Sequence, residues 1–171
     1  MKKISQIFIF FLLFFSFSCK TPVQEIQEKK DDPVKEQLIS ANQYIGDRVQ
    51  DQISAFAERA GWNMTVTPTG LWIMITEKGK GPAIISGEKI RVKYTVRLLD
   101  GTLCYISGKD KPEDITLGRG ELEAGVEEGL LMMHEGDCAV MIIPPHLAHG
   151  NFGDRNKIPG ASVIIYEIRI V

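Results

Sequence analysis

A chain of 171 residues holds one ordinary domain with appendages, since domains commonly run to about 100–200 residues. Charged residues make up 25% of it and the formal net charge is −2. That balance excludes the strongly basic footprint of a nucleic-acid-binding domain, and no nucleic-acid partner is expected.

The N-terminus has a separate character. Lys2 and Lys3 precede an uncharged apolar run from Ile7 to Phe15, and the small residues Ser16 and Ser18 lead to Cys19. A basic start, an apolar middle of about 7–15 residues and a small-residue cleavage region make a secretory signal peptide, read over residues 1–18. The run is shorter than the roughly 20 residues a spanning helix needs. A cysteine directly after such a region resembles a bacterial lipobox (Ser16, Phe17, Ser18, Cys19), in which the cysteine becomes the lipid-bearing N-terminus. The expected placement is the cell envelope, lipid-anchored to a membrane through Cys19 and facing the periplasm or the cell surface. Several acyl chains hold a protein stably where one holds it marginally. Ordinary cleavage, with Cys19 a passenger, is the alternative. Cys104 and Cys138 remain. An exported protein permits disulfides, but two cysteines do not make a framework, and both are read as free, buried or half-buried residues.

Residues 19–34 are polar, charged and contain two prolines, too little apolar surface to fold, so they read as a disordered tether. Residues 35–62 read as an N-terminal helix. Leu38, Ala41, Ile45, Val49, Ile53, Phe56 and Ala60 recur at intervals of three and four on one face, and Gly61 is the expected stop. The favoured role of this face is docking on the domain; a dimer seam or a client-gripping arm is the alternative, and the oligomeric state is left open.

From residue 63 the period changes. Leu71-Trp-Ile-Met-Ile-Thr76 is strand-like, and residues 78–82 form a loop. In residues 89–98 the side chains of Ile90, Val92, Tyr94, Val96 and Leu98 share one face, which marks a half-buried strand. Asp100-Gly101 signals a hairpin turn. A helix is expected over 124–133, a strand over 138–143 ended by Pro144-Pro145, and a last strand over 162–171. Mostly strands with one short helix between them predict an α+β domain over residues 63–171, an antiparallel sheet wrapped around that helix.

Several segments, in order from about Gly87 to Val171, carry a resemblance. They are Val92-Lys-Tyr94, Leu99-Asp100-Gly101, Leu117-Gly118-Arg-Gly120, Gly125-Val-Glu-Glu-Gly129-Leu130, Met133-His-Glu-Gly136, Ile143-Pro-Pro-His-Leu-Ala-His-Gly150, Ile158-Pro159 and Ile165-Tyr166-Glu167-Ile168. Together they resemble FKBP-type peptidyl-prolyl cis-trans isomerases, with a motif core over 87–171. Pro68-Thr-Gly70-Leu71-Trp72 ahead of them is similar to exported FKBP-type lipoproteins of Bacteroidetes-like bacteria, including gliding-associated ones. Each motif has a physical task. Gly101 and Gly118 allow positive φ where the chain reverses. Gly125 lets the helix approach the sheet, and Pro144-Pro145 and Ile158-Pro159 end strands.

The resemblance implies an isomerase of X–Pro bonds that works on proline-containing unfolded or exported polypeptides. Rotation about the amide needs no nucleophile, metal or cofactor, and none is expected. It also implies a bowl of aromatics under a loop from Ala148 to Pro159. Tyr94 falls on the family's strand tyrosine, Tyr166 on its last-strand aromatic, Ile158 on its loop isoleucine and Leu122 on an aliphatic wall position. The backbone N–H of Glu123 falls where the family donates to a substrate carbonyl. Elsewhere this chain departs. Cys104-Tyr105 replaces Phe-Asp, Val126 replaces the tryptophan floor, Glu123 replaces an isoleucine, His149 replaces the tyrosine of Leu-Ala-Tyr-Gly, and an expected aromatic aligns on or near Glu113. Tyr94, His149 and Tyr166 are the expected catalytic residues, and Tyr105, Leu122, Glu123, Val126 and Ile158 the expected substrate-binding residues. Other features read as structural: His146 and His149 as loop histidines, Trp62 and Trp72 as packing, Glu127-Glu128 as a solvated helix face. Two functions follow: an envelope prolyl isomerase with a degraded pocket, or a non-catalytic chaperone or assembly module on the same fold.

Overall fold

The structure is a computed structural model, and it describes residues 33–108 and 111–171. The signal peptide, Cys19 and the tether as far as residue 32 lie outside the described residues. Helix α1 spans Pro33–Ala60. Pro33 and Val34, assigned above to the tether, instead open this helix, and proline suits a first turn because its missing N–H has no intrahelical partner there. In the first turns Ser40 Oγ donates to the Glu36 carbonyl. The helix ends at Gly61 as expected. Gly61 adopts φ +68°, its N–H donates to Glu58 O, and Trp62 N–H reaches back to Ala57 O, the paired bonds of a Schellman stop. Among the described residues no helix is long and apolar enough to cross a membrane.

The compact unit of the fold runs from Ala41 to Val171. Its strands are β1 (Thr65–Val66), β2 (Trp72–Glu77), β3 (Lys89–Leu98), β4 (Leu103–Ile106), β5 (Glu113–Thr116), β6 (Cys138–Ile143) and β7 (Ile164–Ile170), with helix α2 (Ala124–Leu131) between β5 and β6. They form one antiparallel sheet in the order β1-β2-β6-β7-β3-β4, and β5 also pairs with β3. This is the expected α+β architecture. The strands at 89–98 and 138–143 match their expected bounds. The last strand is shorter than expected, and α2 stops at Leu131 with Met132 as its C-cap. The hairpin at Asp100-Gly101 is present: Gly101 donates to Leu98 O, Leu98 to Thr102 O, and Thr102 N–H to the Asp100 carboxylate. Gly101 and Gly118 have φ +89° and +81°. Pro144-Pro145 does end β6. Ile158-Pro159 does not end a strand; it sits in the loop that precedes β7, where the Asp154 N–H donates to the Ile158 carbonyl and the Ile158 N–H to the Asp154 carboxylate.

The sheet is covered on its inner face and on part of its outer face. On the inner face Ile90, Val92, Val96, Ala139, Met141, Ile143, Ile164 and Ile168 build the main core with Val126 and Leu130 of α2. On the outer face Ile53 and Ala57 of α1 pack with Ile142, Val163 and Ile165, flanked by Val49, Phe56, Trp62 and Trp72. Two-sided burial explains why β6 reads as the unbroken apolar run CAVMII while β3, with Lys93, Thr95 and Arg97 outside, alternates. Both tryptophans are packing residues. Trp62 meets Phe56 edge-on at 5.7 Å, and Trp72 Nε1 donates to Gln50 Oε1 at 2.7 Å.

Docking of α1 holds for only part of its apolar stripe. Ile53 and Ala57 are buried, whereas Leu38, Ala41, Ile45 and Ala60 are exposed. The α1 stripe is thus docked about Ile53 and Ala57 and exposed on either side. Removing atoms from a sealed site costs transfer plus cavity energy, and an exposed side chain costs neither. Ile53→Ala should lower unfolding free energy by about 2–5 kcal/mol, and Ile45→Ala by no more than about 0.5 kcal/mol. Urea midpoints measure both, and equal losses would contradict this assignment.

Candidate functional site

The register of the sheet places a row of side chains on the inner face. Val96 of β3 lies opposite Tyr166 of β7 and Tyr105 of β4, and Met141 of β6 lies opposite Tyr166. Cross-strand partners point to the same face, so Tyr166, Val96 and Tyr105 stand side by side. Tyr94 shares that face two residues along β3 and sits diagonal to Tyr166. Their rings are 5.7 Å apart at a tilt of 39°. Glu113 of β5 is opposite Val92, which brings its carboxylate within 2.9 Å of the Tyr94 hydroxyl.

One wall comes from the N-terminus of α2. Gly125 and Gly129 face β6: a Cβ on Gly125 would stand 2.4 Å from Ile143 Cγ2, and one on Gly129 would stand 2.5 Å from Met141 Sδ. Only glycine lets the helix lie this close, as expected for Gly125. The helix thereby delivers Glu123, its N-cap residue, to the aromatic row. The Glu123 side chain turns inward. Its two oxygens each lie 3.4 Å from the Tyr166 hydroxyl, and Oε1 lies 3.0 Å from His149 Nε2. That nitrogen is enclosed and makes no directed hydrogen bond. No hydrogen bond from the Glu123 backbone N–H is made among the described residues. Leu122 beside it is half-buried against the core.

The opposite wall is the loop between β6 and β7. Asp154 organises it, accepting from Asn156 N–H and Ile158 N–H at 2.8 Å each with Oδ1 and from the Tyr105 hydroxyl with Oδ2. Asn156 Nδ2 also donates to the Tyr105 oxygen at 3.2 Å. The same loop holds Arg155 at φ +59° and Ala161 at φ +55°, left-handed conformations that cost a non-glycine residue about 1–2 kcal/mol each. The loop therefore depends on the bonds gathered by Asp154. Ile158 is buried at 3% exposure, and Val126 at 1%.

The expected residues are thus gathered at one place, with differences in role. Tyr94, Tyr105, Glu123, His149 and Tyr166 converge on the inner face. Val126 and Ile158 are enclosed and support it from beneath. Replacing the tryptophan floor has not left an open shaft under Val126, because neighbours close over it. The aspartate absent from β4 has a counterpart from another element: Tyr105 stands at that position and reaches Asp154 on the loop. Asp154 was missed as a site residue, and Glu113, expected only as the replacement of an aromatic, pairs with Tyr94. Asp154 had a local signal, an aspartate whose side chain caps its own backbone two residues on; its pairing with Tyr105, 49 residues away, had none. Glu127 and Glu128 are not a free solvated face. Glu127 accepts from Gly118 N–H and Glu128 from the Thr69 hydroxyl, so both hold loops. His146 Nε2 lies 2.9 Å from the Thr69 carbonyl oxygen, away from the partner of His149.

The phenols stay protonated. Burial, then the bond to Glu113, pushes Tyr94 up to about 12. Burial, then the Glu123 charge, pushes Tyr166 further above the usual phenol range. The bond to Asp154, then burial, raises Tyr105. Burial also raises the thiol of Cys104, which is free and enclosed, as is Cys138. The site therefore offers aromatic and apolar walls whose hydroxyls are already given to carboxylates, a setting suited to reshaping a bound group without moving protons.

Asp154 gives a test of the loop wall. Burial opposes its charge, but Tyr105, the Ile158 and Asn156 N–H groups and His149 outweigh that and hold it down at about 2. A carboxylate with a depressed folded value stabilises the fold above its unfolded value, here 3.8, and that contribution is lost as pH falls from there through about 2. Acid-unfolding curves should show this loss for the parent chain, and Asp154→Asn should lack that increment and lose amide protection at Ile158. An unchanged pH dependence in the variant would refute the role of Asp154.

Comparison with known proteins agrees with this fold. Residues 81–171 match the family described as FKBP-type peptidyl-prolyl cis-trans isomerase. Peptidyl-prolyl cis-trans isomerase FKBP10 of Mus musculus is 41% identical over 86 residues, covering 50% of this chain and 15% of that protein. Chloroplastic peptidyl-prolyl cis-trans isomerase FKBP13 of Arabidopsis thaliana is 32% identical over 133 residues, covering 71% of this chain and 64% of that protein. The chain thus spans less than two thirds of either relative's length. The crystal structure of AtFKBP13 superposes with a TM-score of 0.59 at 29% identity, covering 63% of this chain and 96% of the other. From the ordered motifs, the sheet wrapped on α2 and the match over residues 81–171, the chain belongs to the FKBP-type peptidyl-prolyl cis-trans isomerase family.

Proposed function

We propose that this chain isomerises X–Pro bonds in unfolded or exported polypeptides at the cell envelope. The observation that carries the reading is the Tyr94–Tyr166 ring pair on the inner face, flanked by a Glu123 backbone N–H with no partner among the described residues. A planar amide resists rotation by about 18–20 kcal/mol because twisting destroys its resonance. The twisted amide is less polar at its carbonyl than the planar one. Aromatic walls disfavour the planar form relative to the twisted form, and a backbone donor holds a flanking carbonyl in place. A thousandfold acceleration asks for about 4 kcal/mol of such differential binding. No proton transfer is required, which agrees with phenols that stay protonated.

A second reading, polypeptide binding without turnover, has one observation in its favour. Glu123, Tyr166 and His149 already engage one another, so a substrate must separate internal partners before it reaches the rings. Exchange spectroscopy on short X–Pro peptides with the purified full chain separates the two. The isomerase reading expects catalysed cis–trans exchange and a drop in kcat/KM of about tenfold or more in Tyr166→Ala, equivalent to about 1.4 kcal/mol. Peptide binding with no acceleration would establish the second reading instead.

The envelope placement rests on the signal-like N-terminus and Cys19. Lipidation there would tether the isomerase unit beside polypeptides emerging from export. Cys19→Ala should move the protein from the membrane to the soluble fraction on fractionation; unchanged retention would reject the anchor.

A further inference from the structure

The site is unusual in its carboxylates. Glu113, Glu123 and Asp154 each accept a tyrosine hydroxyl, from Tyr94, Tyr166 and Tyr105 respectively. Asp154 is saturated by two further backbone N–H groups. Glu113 and Glu123 are not. Among the described residues neither pairs with a lysine or arginine, whereas Asp114 pairs with Lys89 and Glu77 with Arg169. The charges of Glu113 and Glu123 both act on Tyr94 and on Tyr166, so the two acids and the two rings form one cluster.

Glu123 stands at the access to the rings. Tyr166 is 8% exposed, and the side chains of Glu123 and His149 beside it are 16% and 25% exposed. A peptide reaching Tyr166 must part Glu123 from His149. An apolar neighbour of the proline would then leave a poorly solvated carboxylate with no cation beside it, which is costly. An ammonium or guanidinium would take the place of His149, with Glu113 as a second negative charge nearby. We propose that this pocket selects proline segments carrying Lys or Arg next to the proline, with Glu123 as the specificity-determining residue. The proposal rests on the location of the peptide site in the isomerase reading, and its test separates the two.

The test uses the purified full chain and Ala-X-Pro-Phe and Ala-Pro-X-Phe peptides in which X is Lys, Leu or Glu. NMR titration gives Kd and exchange spectroscopy gives turnover. Lys should be favoured over Leu by about fivefold in at least one of the two positions, with Glu the weakest, a size expected of a partly screened charge pair. The preference should shrink at high salt. Glu123→Gln should remove most of it and Glu113→Gln a smaller part, with thermal melts showing that each variant is folded. The salt series on the parent chain decides the matter if Glu123→Gln does not fold. Leu binding as well as Lys, a Lys preference untouched by salt, or one that survives in folded Glu123→Gln would overturn the proposal. If no peptide is isomerised, the isomerase reading alone fails and the Kd order still decides the specificity. If none binds, both fail.

Discussion

Two glycines on one face of α2 set the geometry that everything else uses. Gly125 and Gly129 bring the helix backbone against Ile143 and Met141, where any Cβ would collide at about 2.4–2.5 Å. At that depth Val126 and Leu130 fill the inner core, and the N-cap of the helix lies beside the aromatic row. Displacing the helix outward would open the core and carry Glu123 away from Tyr166. Interiors packed to crystal-like density do not absorb such a shift without cost. The close approach therefore links the stability of the sheet to the shape of the site.

The site itself is made of three contributions that each solve a different problem. The strands supply rings in fixed register: Tyr166 and Tyr105 flank Val96, and Tyr94 falls on the diagonal. The helix supplies Glu123, whose backbone N–H has no partner among the described residues. The loop supplies Asp154, which gathers Tyr105 and two backbone N–H groups and offsets the left-handed Arg155 and Ala161. Each tyrosine hydroxyl is thus assigned a carboxylate. The consequence is an aromatic site with a negative rim, distinct from a purely apolar bowl.

Much of this was legible in the residues, for reasons that differ by element. β3 alternates because only one face is buried along much of its length, and β6 is uniformly apolar because α2 covers one face and α1 the other. Gly61, Asp100-Gly101 and Gly125 each answer a local steric demand, so each could be read locally. β5 could not. Glu-Asp-Ile-Thr carries one large apolar residue, and its strand character comes from pairing with β3. The split of the α1 stripe was equally hidden, since spacing shows which residues share a face and not how far along that face the domain extends. At the site, the aromatic positions followed from the ordered motifs. The Tyr105–Asp154 and Tyr94–Glu113 pairings did not, because they join residues distant in the chain through backbone geometry that exists only after folding. The sequence also suggested that an acid had been lost from the pocket; the fold places Asp154 against Tyr105 from another direction.

The proposed activity needs the inner face between Tyr94, Tyr166 and Glu123 to bind a proline segment and ease its rotation. The most direct measurement follows the Glu123 backbone amide and the Tyr94 and Tyr166 ring signals by NMR while an X–Pro peptide is titrated in, with peptide cis–trans exchange recorded in the same samples. These three residues should shift together, and exchange should quicken at substoichiometric protein. Shifts confined to the outer face of the sheet, or exchange at the uncatalysed rate with the three residues unmoved, would contradict it.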